Sequence, residues 1–299
     1  MSILIDENTK VLIQGITGKE GSRACKEMIS YGTKVLAGVT PGKEGMNTEE
    51  GVPVFNTVRE ALAQFPEINT SLIVVPAKFA LSAVKESIDA RVPLINILTE
   101  KVPVADVAVM IAFAREVGVR VIGPSSVGII SPGKVKIGSI GSGDIASRIF
   151  IPGQVGVISK SGGMTAELSR ILTDAGVGQS TVLGIGGDLL CGSDFVDIAK
   201  LFEQDRQTKA VVIFGEVGGT YEEKLADAIT QRQITKPVIA LIAGRFAETL
   251  PQDTVLGHAG AIVSKGRGSA ASKIKALKEA GALIAQTPED IPNLVKQVV

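Results

Sequence analysis

Tryptophan is absent from this chain, histidine occurs once, cysteine twice, and aromatic residues fill only 4 % of its 299 positions. One histidine and two distant cysteines cannot assemble the usual ligand sets of a zinc site, so no metal centre is expected. Cys25 and Cys191 stand far apart, without the spacing of a metal knuckle, and packing in a reducing compartment is their expected role. No run of about 18 apolar residues occurs, which argues against a membrane span. The opening MSILIDENTKVLIQG lacks the basic flank and long apolar core of a secretory signal, and a cytoplasmic location is expected. An excess of charge is missing too: 31 Lys and Arg balance 31 Asp and Glu. Without a global field, nucleic acid and membrane surfaces are not expected partners, and an anionic ligand has to be met by local donors.

What the chain has in abundance is small and aliphatic, with 45 % hydrophobic residues and 34 glycines. Such a composition suits sheets buried on both faces. Short apolar runs alternate with helical patterns along the whole length, the rhythm of parallel sheets built from βαβ crossovers. In the first half the expected strands are Val11–Gln14, Lys34–Val39, Thr70–Val75, Leu94–Ile97 and Arg120–Ile122, with helices over Gly21–Ser30 and Lys78–Ala90. The rhythm restarts with Gln154–Ile158, Gln179–Gly184, Ala210–Phe214, Val238–Ile242 and Ala282–Ala285. Ser272–Gly281 reads as a late helix, by its Lys273, Ile274, Leu277, Lys278 pattern and its Gly at the C-terminal cap. Between the halves, Pro124–Pro152 is rich in Gly, Ser and Pro and carries no sustained period. The expectation is an α/β protein of two domains, residues 1–130 and 131–299.

The first strand runs into Gly15-Ile16-Thr17-Gly18-Lys19-Glu20-Gly21 and then a helix. Glycines there let backbone approach a phosphate, which the helix N-terminus can hold; many such turns, though, need glycine for geometry alone. The second strand ends in Val39-Thr40-Pro41-Gly42-Lys43, where a dinucleotide-binding domain reading a plain ribose wants an acid. A lysine there fits a phosphorylated ribose, as in NADP or CoA, and equally a solvated surface residue. A second strand–turn–helix carries Ser159-Lys160-Ser161-Gly162-Gly163-Met164-Thr165, with the helix expected from about Ala166. Ser161, Gly162 and Gly163 would receive an anion at a helix start, or Ser161 simply caps the helix. A hydrolase nucleophile elbow fits poorly, because Ser159 stands where a glycine is required.

The lone histidine, His258, lies in Leu256-Gly257-His258-Ala259-Gly260-Ala261. Small neighbours leave its imidazole unshielded, and a largely neutral imidazole is a nucleophile or a proton acceptor. Its surroundings alone favour an exposed or packed structural histidine. Glu216, after the strand Ala210–Phe214, would stand at the C-terminal end of a parallel strand, where such sheets bind ligands. It could orient an imidazole, or serve as an acidic residue at a helix start.

Taken together, GITGKEG, YGTKVLAGVTPGKEG, GVPVFNTVREA, ILTEKVP, GVRVIGP, PGQVGVISKSGG, GIGGD, FGEVGG, TKPVIALIAG and GHAGAIV resemble, in order and over essentially the full length, the alpha subunits of succinyl-CoA synthetase. The resemblance implies a Rossmann-like CoA-binding domain followed by a flavodoxin-like ligase domain. It assigns CoA contacts to Thr17, Gly18, Lys19, Glu20, Lys43, Leu98, Thr99 and Glu100. It makes His258 a phosphohistidine and Glu216 the carboxylate that orients it, with Ser161, Gly162 and Gly163 facing phosphate or acid. The implied reaction joins a carboxylic acid to CoA at the expense of ATP or GTP, whose Mg²⁺ complex sits on an ATP-grasp beta subunit. Succinate-specific members commonly carry Ser-Gly-Thr and then Thr-Tyr where this chain has Ser161-Gly162-Gly163 and Thr165-Ala166; its SGGM run resembles ATP-citrate lyase and citryl-CoA synthetase. The Asn that follows Gly-Pro in many succinyl-CoA synthetases is also missing from Gly123-Pro124-Ser125. Another acid (malate, citrate-like or sulfonated) is therefore an open alternative. Rival readings are an NADP-dependent oxidoreductase, which leaves the second domain unused, and a non-catalytic CoA-binding regulatory module.

Overall fold

The computed structural model describes residues 2–141, 143–244 and 268–299. The first half runs β1 (Lys10–Gln14), α1 (Lys19–Ser30), β2 (Lys34–Val39), β3 (Val54–Phe55), α2 (Val58–Gln64) and β4 (Thr70–Ile73), then α3 (Ala77–Asp89), β5 (Leu94–Ile97), α4 (Val104–Val117) and β6 (Arg120–Ile122). All its strand pairs are parallel, in the order β3-β2-β1-β4-β5-β6. Burial explains the unbroken apolar runs: β4 and β5 are covered on both faces, so nothing in them needs to alternate. The order reverses between β1 and β4. Loops leaving their C-terminal ends diverge there and open a crevice.

The second half runs β7 (Gly128–Ser131), β8 (Val135–Gly138), α5 (Ala146–Ile149), β9 (Pro152–Ser159), α6 (Gly162–Asp174), β10 (Gln179–Gly184), α7 (Phe195–Gln204) and β11 (Ala210–Glu216). It continues through α8 (Tyr221–Thr230), β12 (Val238–Ala243), α9 (Ala270–Glu279), β13 (Leu283–Ala285) and α10 (Ile291–Lys296). Its parallel part, β10-β9-β11-β12-β13, has the flavodoxin-like order, and its switch point falls between β9 and β11. An antiparallel hairpin, β7–β8, extends the β10 edge.

That hairpin lies inside the segment expected to be irregular, and β7 straddles the boundary expected after residue 130. Pairing with β10 places β7 in the second sheet. Its strands are short and buried on both faces, so neither a period of two nor a helical period shows. Lys136 further masks β8, being a cation at 1 % exposure. Its amine meets Glu27 on α1 at 3.1 Å and the Gly141 carbonyl at 2.9 Å, and burial draws it below its ordinary pKa against the pull of Glu27. Removing one member of such a buried pair strands the other, at a cost of about 3–5 kcal/mol. Thr33 Oγ1 donates to the Lys136 carbonyl at 2.7 Å, and Tyr31 Oη accepts from Gly133 N–H at 3.0 Å. The C-terminal end of α1 is thus gripped by the second sheet. One apolar core joins the halves, with Ile13, Ile16 and Met28 packed with Ile129, Ile137 and Phe195.

The helices start earlier than their apolar patterns suggest. α1 begins at Lys19, and α6 at Gly162 rather than near Ala166. Both cysteines are buried, and desolvation pushes the Cys25 thiol to about 11 and the Cys191 thiol to about 12. Neither is a thiolate at neutral pH, which agrees with packing roles.

Candidate functional site

Each sheet has a switch point that forms a candidate site. In the first, Gly15 N–H bonds the Val39 carbonyl at 2.8 Å and the chain turns through Thr17 and Gly18 into α1. Gly21 makes that turn possible: a Cβ there would lie 2.1 Å from the Gly15 carbonyl oxygen. The close approach leaves the first-turn N–H groups of α1 as donors without intrahelical partners. Beside them lies a cleft of about 520 Å³, whose walls include Gln14, Thr17, Gly18, Pro41, Val75 and Phe79. Thr17 Oγ1 lies 3.2 Å from Thr40 Oγ1, tying the turn to the end of β2. Lys43, exposed, follows on a turn closed by its own N–H on the Thr40 carbonyl at 3.1 Å.

The structure brings Thr17 and Gly18 into the cleft wall, with Lys19 and Glu20 opening the adjoining helix. Leu98, Thr99 and Glu100 leave β5 on the far side, joined to the wall where Thr99 Oγ1 donates to the Val75 carbonyl at 2.7 Å. Apolar Val75 and Phe79, the latter half exposed, escaped the sequence reading because an isolated apolar residue at a helix start carries no signal of a ligand.

In the second sheet, β9 and β11 end side by side. After β9, Ser159 Oγ accepts from Ser161 N–H at 3.0 Å, and Ser161 Oγ accepts from Met164 N–H at 3.5 Å as the cap of α6. Gly162 presses on Val127, whereas a Cβ on Gly163 would meet nothing within 4 Å. β11 ends on Glu216, half-buried, and Val217, Gly218 and Gly219 follow it. His258 lies outside the described residues. The described chain on either side of its segment, however, abuts this turn. Gly244, following β12, is so close to Val217 that a Cβ would lie 2.7 Å from its side chain, and the Gly268 carbonyl accepts from Gly218 N–H at 2.7 Å.

Beneath the two turns sits a cluster the sequence reading missed. Glu222, in the first turn of α8, has no exposure; it holds Lys160 at 3.2 Å on one oxygen and Lys273 of α9 on the other. Gly215 permits this, since a Cβ there would stand 2.6 Å from the Glu222 carboxylate. Burial pulls the Lys273 amine below its ordinary pKa, and Glu222 opposes that shift. The available signal was the place of Lys273 in the helical pattern, one turn before buried Leu277.

Sequence comparison agrees with this division. A CoA binding domain model matches residues 6–101 and a CoA-ligase model matches residues 158–283. Succinate–CoA ligase [ADP-forming] subunit alpha 1 of Archaeoglobus fulgidus is 47 % identical over 299 residues, covering 100 % of this chain and 99 % of that protein. The corresponding alpha subunit of Staphylococcus aureus is 45 % identical over 291 residues, covering 97 % and 93 %. Among solved structures, ATP citrate lyase from Methanothrix soehngenii in complex with citrate and coenzyme A superposes with a TM-score of 0.92 at 28 % identity. That match takes in 99 % of this chain and 50 % of the lyase chain, so this chain spans half of that protein. A CoA-binding unit followed by a CoA-ligase unit defines a subunit of an acid–CoA ligase. Within that class the chain belongs to the succinate–CoA ligase alpha-subunit family, which implies a beta-subunit partner.

Proposed function

We propose that this chain carries a phosphoryl group on His258 between a nucleotide and a carboxylic acid, and then presents CoA to the acyl phosphate. An imidazole nitrogen of His258 attacks the γ-phosphorus of ATP or GTP, and the nucleoside diphosphate leaves. A carboxylate oxygen of the acid takes the phosphoryl group from the histidine, giving an acyl phosphate and free imidazole. The CoA thiolate then attacks the acyl carbon and inorganic phosphate departs. Glu216 accepts a hydrogen bond from the second imidazole nitrogen and fixes the tautomer. The first turn of α6, at Ser161, Gly162 and Gly163, receives the anionic oxygens. The nucleotide and its Mg²⁺ belong to an ATP-grasp beta subunit, and the reaction belongs to the cytoplasm.

One observation carries this reading: the described chain on either side of the His258 segment lies against the turn that follows Glu216, at Gly244 by close packing and at Gly268 by a hydrogen bond. Intact-mass analysis after incubation with the partner, Mg²⁺ and ATP or GTP tests it. An added phosphoryl group on this chain, removed by acid, is expected; an unchanged mass rejects the reading.

CoA occupies the first switch point, with the adenosine part against Val75 and Phe79 and phosphates on the α1 turn. Lys43 then meets the ribose phosphate. Lys43→Ala is expected to weaken CoA by about 1–3 kcal/mol, the worth of a charge-assisted contact, and to leave dephospho-CoA nearly unaffected. Calorimetry with both ligands checks this, and equal losses would remove Lys43 from that role.

A second reading concerns the acid. The open space beside Gly163 and the small, half-buried Ala166 one turn further favour an acid larger than succinate. The citrate present in the lyase complex is an acid of that kind. Turnover of the reconstituted complex with succinate, malate, citrate and sulfonated acids is expected to favour one of the larger or more polar members. Ala166→Tyr should lower kcat/KM for that acid, by filling volume the ligand needs. A wild-type preference for succinate over every larger acid would end this reading.

A further inference from the structure

Lys43 stands at the tip of an open loop. Pro41, Gly42, Lys43, Glu44 and Gly45 are all exposed, and a Cβ on Gly42 or Gly45 would meet nothing within 4 Å. Both glycines have positive φ, +77° and +81°, so the tip turns on the two residues with the most conformational freedom. A cation on such a tip loses entropy when a ligand orders it, unless the loop is already held. One side chain does much of that holding. Asn56 Oδ1 accepts from Gly42 N–H at 2.7 Å, and Asn56 Nδ2 donates to Glu44 Oε2 at 2.8 Å. Asn56 thus grips the residues on either side of Lys43. A backbone N–H demands the oxygen and a carboxylate demands the NH₂, so these partners fix the orientation of the amide.

Asn56 is itself anchored. It follows β3 and precedes Thr57, the N-cap of α2. Asn56 N–H and Thr57 N–H both donate to Glu60 Oε2, at 3.0 and 3.1 Å, and Thr57 Oγ1 accepts from Glu60 N–H at 3.2 Å. The next amide, Val58 N–H, donates to Glu86 Oε1 at 2.7 Å. Glu86 belongs to α3 and lines the CoA cleft. A connected path therefore runs from the cleft wall through the start of α2 to the Lys43 loop. Glu44 adds an electrostatic side to it. A free carboxylate next to Lys43 would compete with a phosphate for the amine and would repel the phosphate as well. The Asn56 amide engages that carboxylate instead.

We propose that Asn56 is a positioning residue that holds the Lys43 loop against the cleft and engages Glu44, and so makes binding selective for CoA over dephospho-CoA. The proposal rests on the assignment of Lys43 to the ribose phosphate given above. In that arrangement Asn56 touches no part of the ligand and acts only through Lys43. Its contribution is therefore confined to the one phosphate that distinguishes the two ligands.

Calorimetry of the full chain with CoA and dephospho-CoA tests this, through a double-mutant cycle on Asn56 and Lys43. Asn56→Ala is expected to weaken CoA about 10-fold, as a charge-assisted contact loses its fixed geometry. Dephospho-CoA should stay within about twofold of wild type, since the contact is absent from that complex. In the Lys43→Ala background no amine remains to position, and Asn56→Ala should change CoA binding by less than about twofold. A residue that merely supports the fold would weaken both ligands alike and cost the same in both backgrounds. Either result overturns the proposal, as does CoA binding unchanged by Asn56→Ala. Should Asn56→Ala not fold, Asn56→Asp decides by the same criterion. It still accepts from Gly42 N–H but sets a second carboxylate against Glu44, so CoA should weaken while dephospho-CoA does not; an unchanged ratio rejects the proposal. If Lys43→Ala itself weakens both ligands equally, the Lys43 reading falls and this proposal with it. A selective effect of Lys43→Ala beside none of Asn56→Ala rejects the positioning role alone.

Discussion

The His258→Asn complex is expected to form no CoA ester, with turnover at least about 10⁴-fold below wild type, as when a nucleophile on which both half-reactions depend is removed. The amide nitrogen of asparagine has its lone pair delocalised into the carbonyl, and it cannot attack phosphorus as the free imidazole nitrogen does. Replacement by a neutral hydrogen-bonding side chain of similar polarity should disturb little else. CoA should bind with unchanged affinity, because its cleft lies at the β1–β4 switch point of the other sheet. The measurement pairs a coupled assay for CoA-ester formation with calorimetric CoA binding. Full turnover by the Asn variant would take His258 out of the mechanism; loss of CoA affinity together with activity would point to damage beyond the histidine.

Much of the architecture was legible because a doubly wound sheet writes itself as apolar runs separated by helical periods. The strands of both parallel orders fell close to their expected places, and both turns announced themselves through glycine. What stayed hidden has identifiable physical causes. The β7–β8 hairpin has short strands, all of whose residues are buried, so no face alternates. β3 spans only Val54–Phe55, too short for any period. The start of α6 was displaced because Gly162 and Gly163 are poor helix formers, and the apolar pattern begins only beyond them. In that turn the capping role of Ser161 proved to be real geometry, yet it takes only the Met164 N–H of the first turn, so the two readings of this residue are compatible. Lys160, Glu222 and Lys273 were missed because charged residues are read by default as solvated. Only three-dimensional structure shows that they lie under one turn, contributed by the β9–α6 connection, α8 and α9.

The isolated chain should show no CoA-ester formation above background, and activity should appear only with its beta subunit. No G-x-x-x-x-G-K-[ST] loop occurs in the sequence, and the proposed function already assigns both glycine-rich turns, one to CoA and the other to the transferred phosphoryl group. A triphosphate carries several negative charges that need a cradle of donors and cations, and this chain, with a formal net charge of +0, offers no general attraction to replace one. The relatives bear on the same point. The chain matches 99 % of an Archaeoglobus protein that is itself called a subunit, and it matches only 50 % of the ATP citrate lyase chain. Half of that lyase chain therefore has no counterpart here, in keeping with a subunit that works with a beta-subunit partner. The experiment measures nucleoside diphosphate release with this chain alone, the partner alone and the mixture, each with acid, CoA and Mg²⁺. Release is expected in the mixture only and should saturate as the partner reaches equimolar amounts, while CoA binding by the isolated chain is retained. Sustained ATP-dependent turnover by this chain without its partner would show that the nucleotide site lies within it, and the division of labour proposed here would fall.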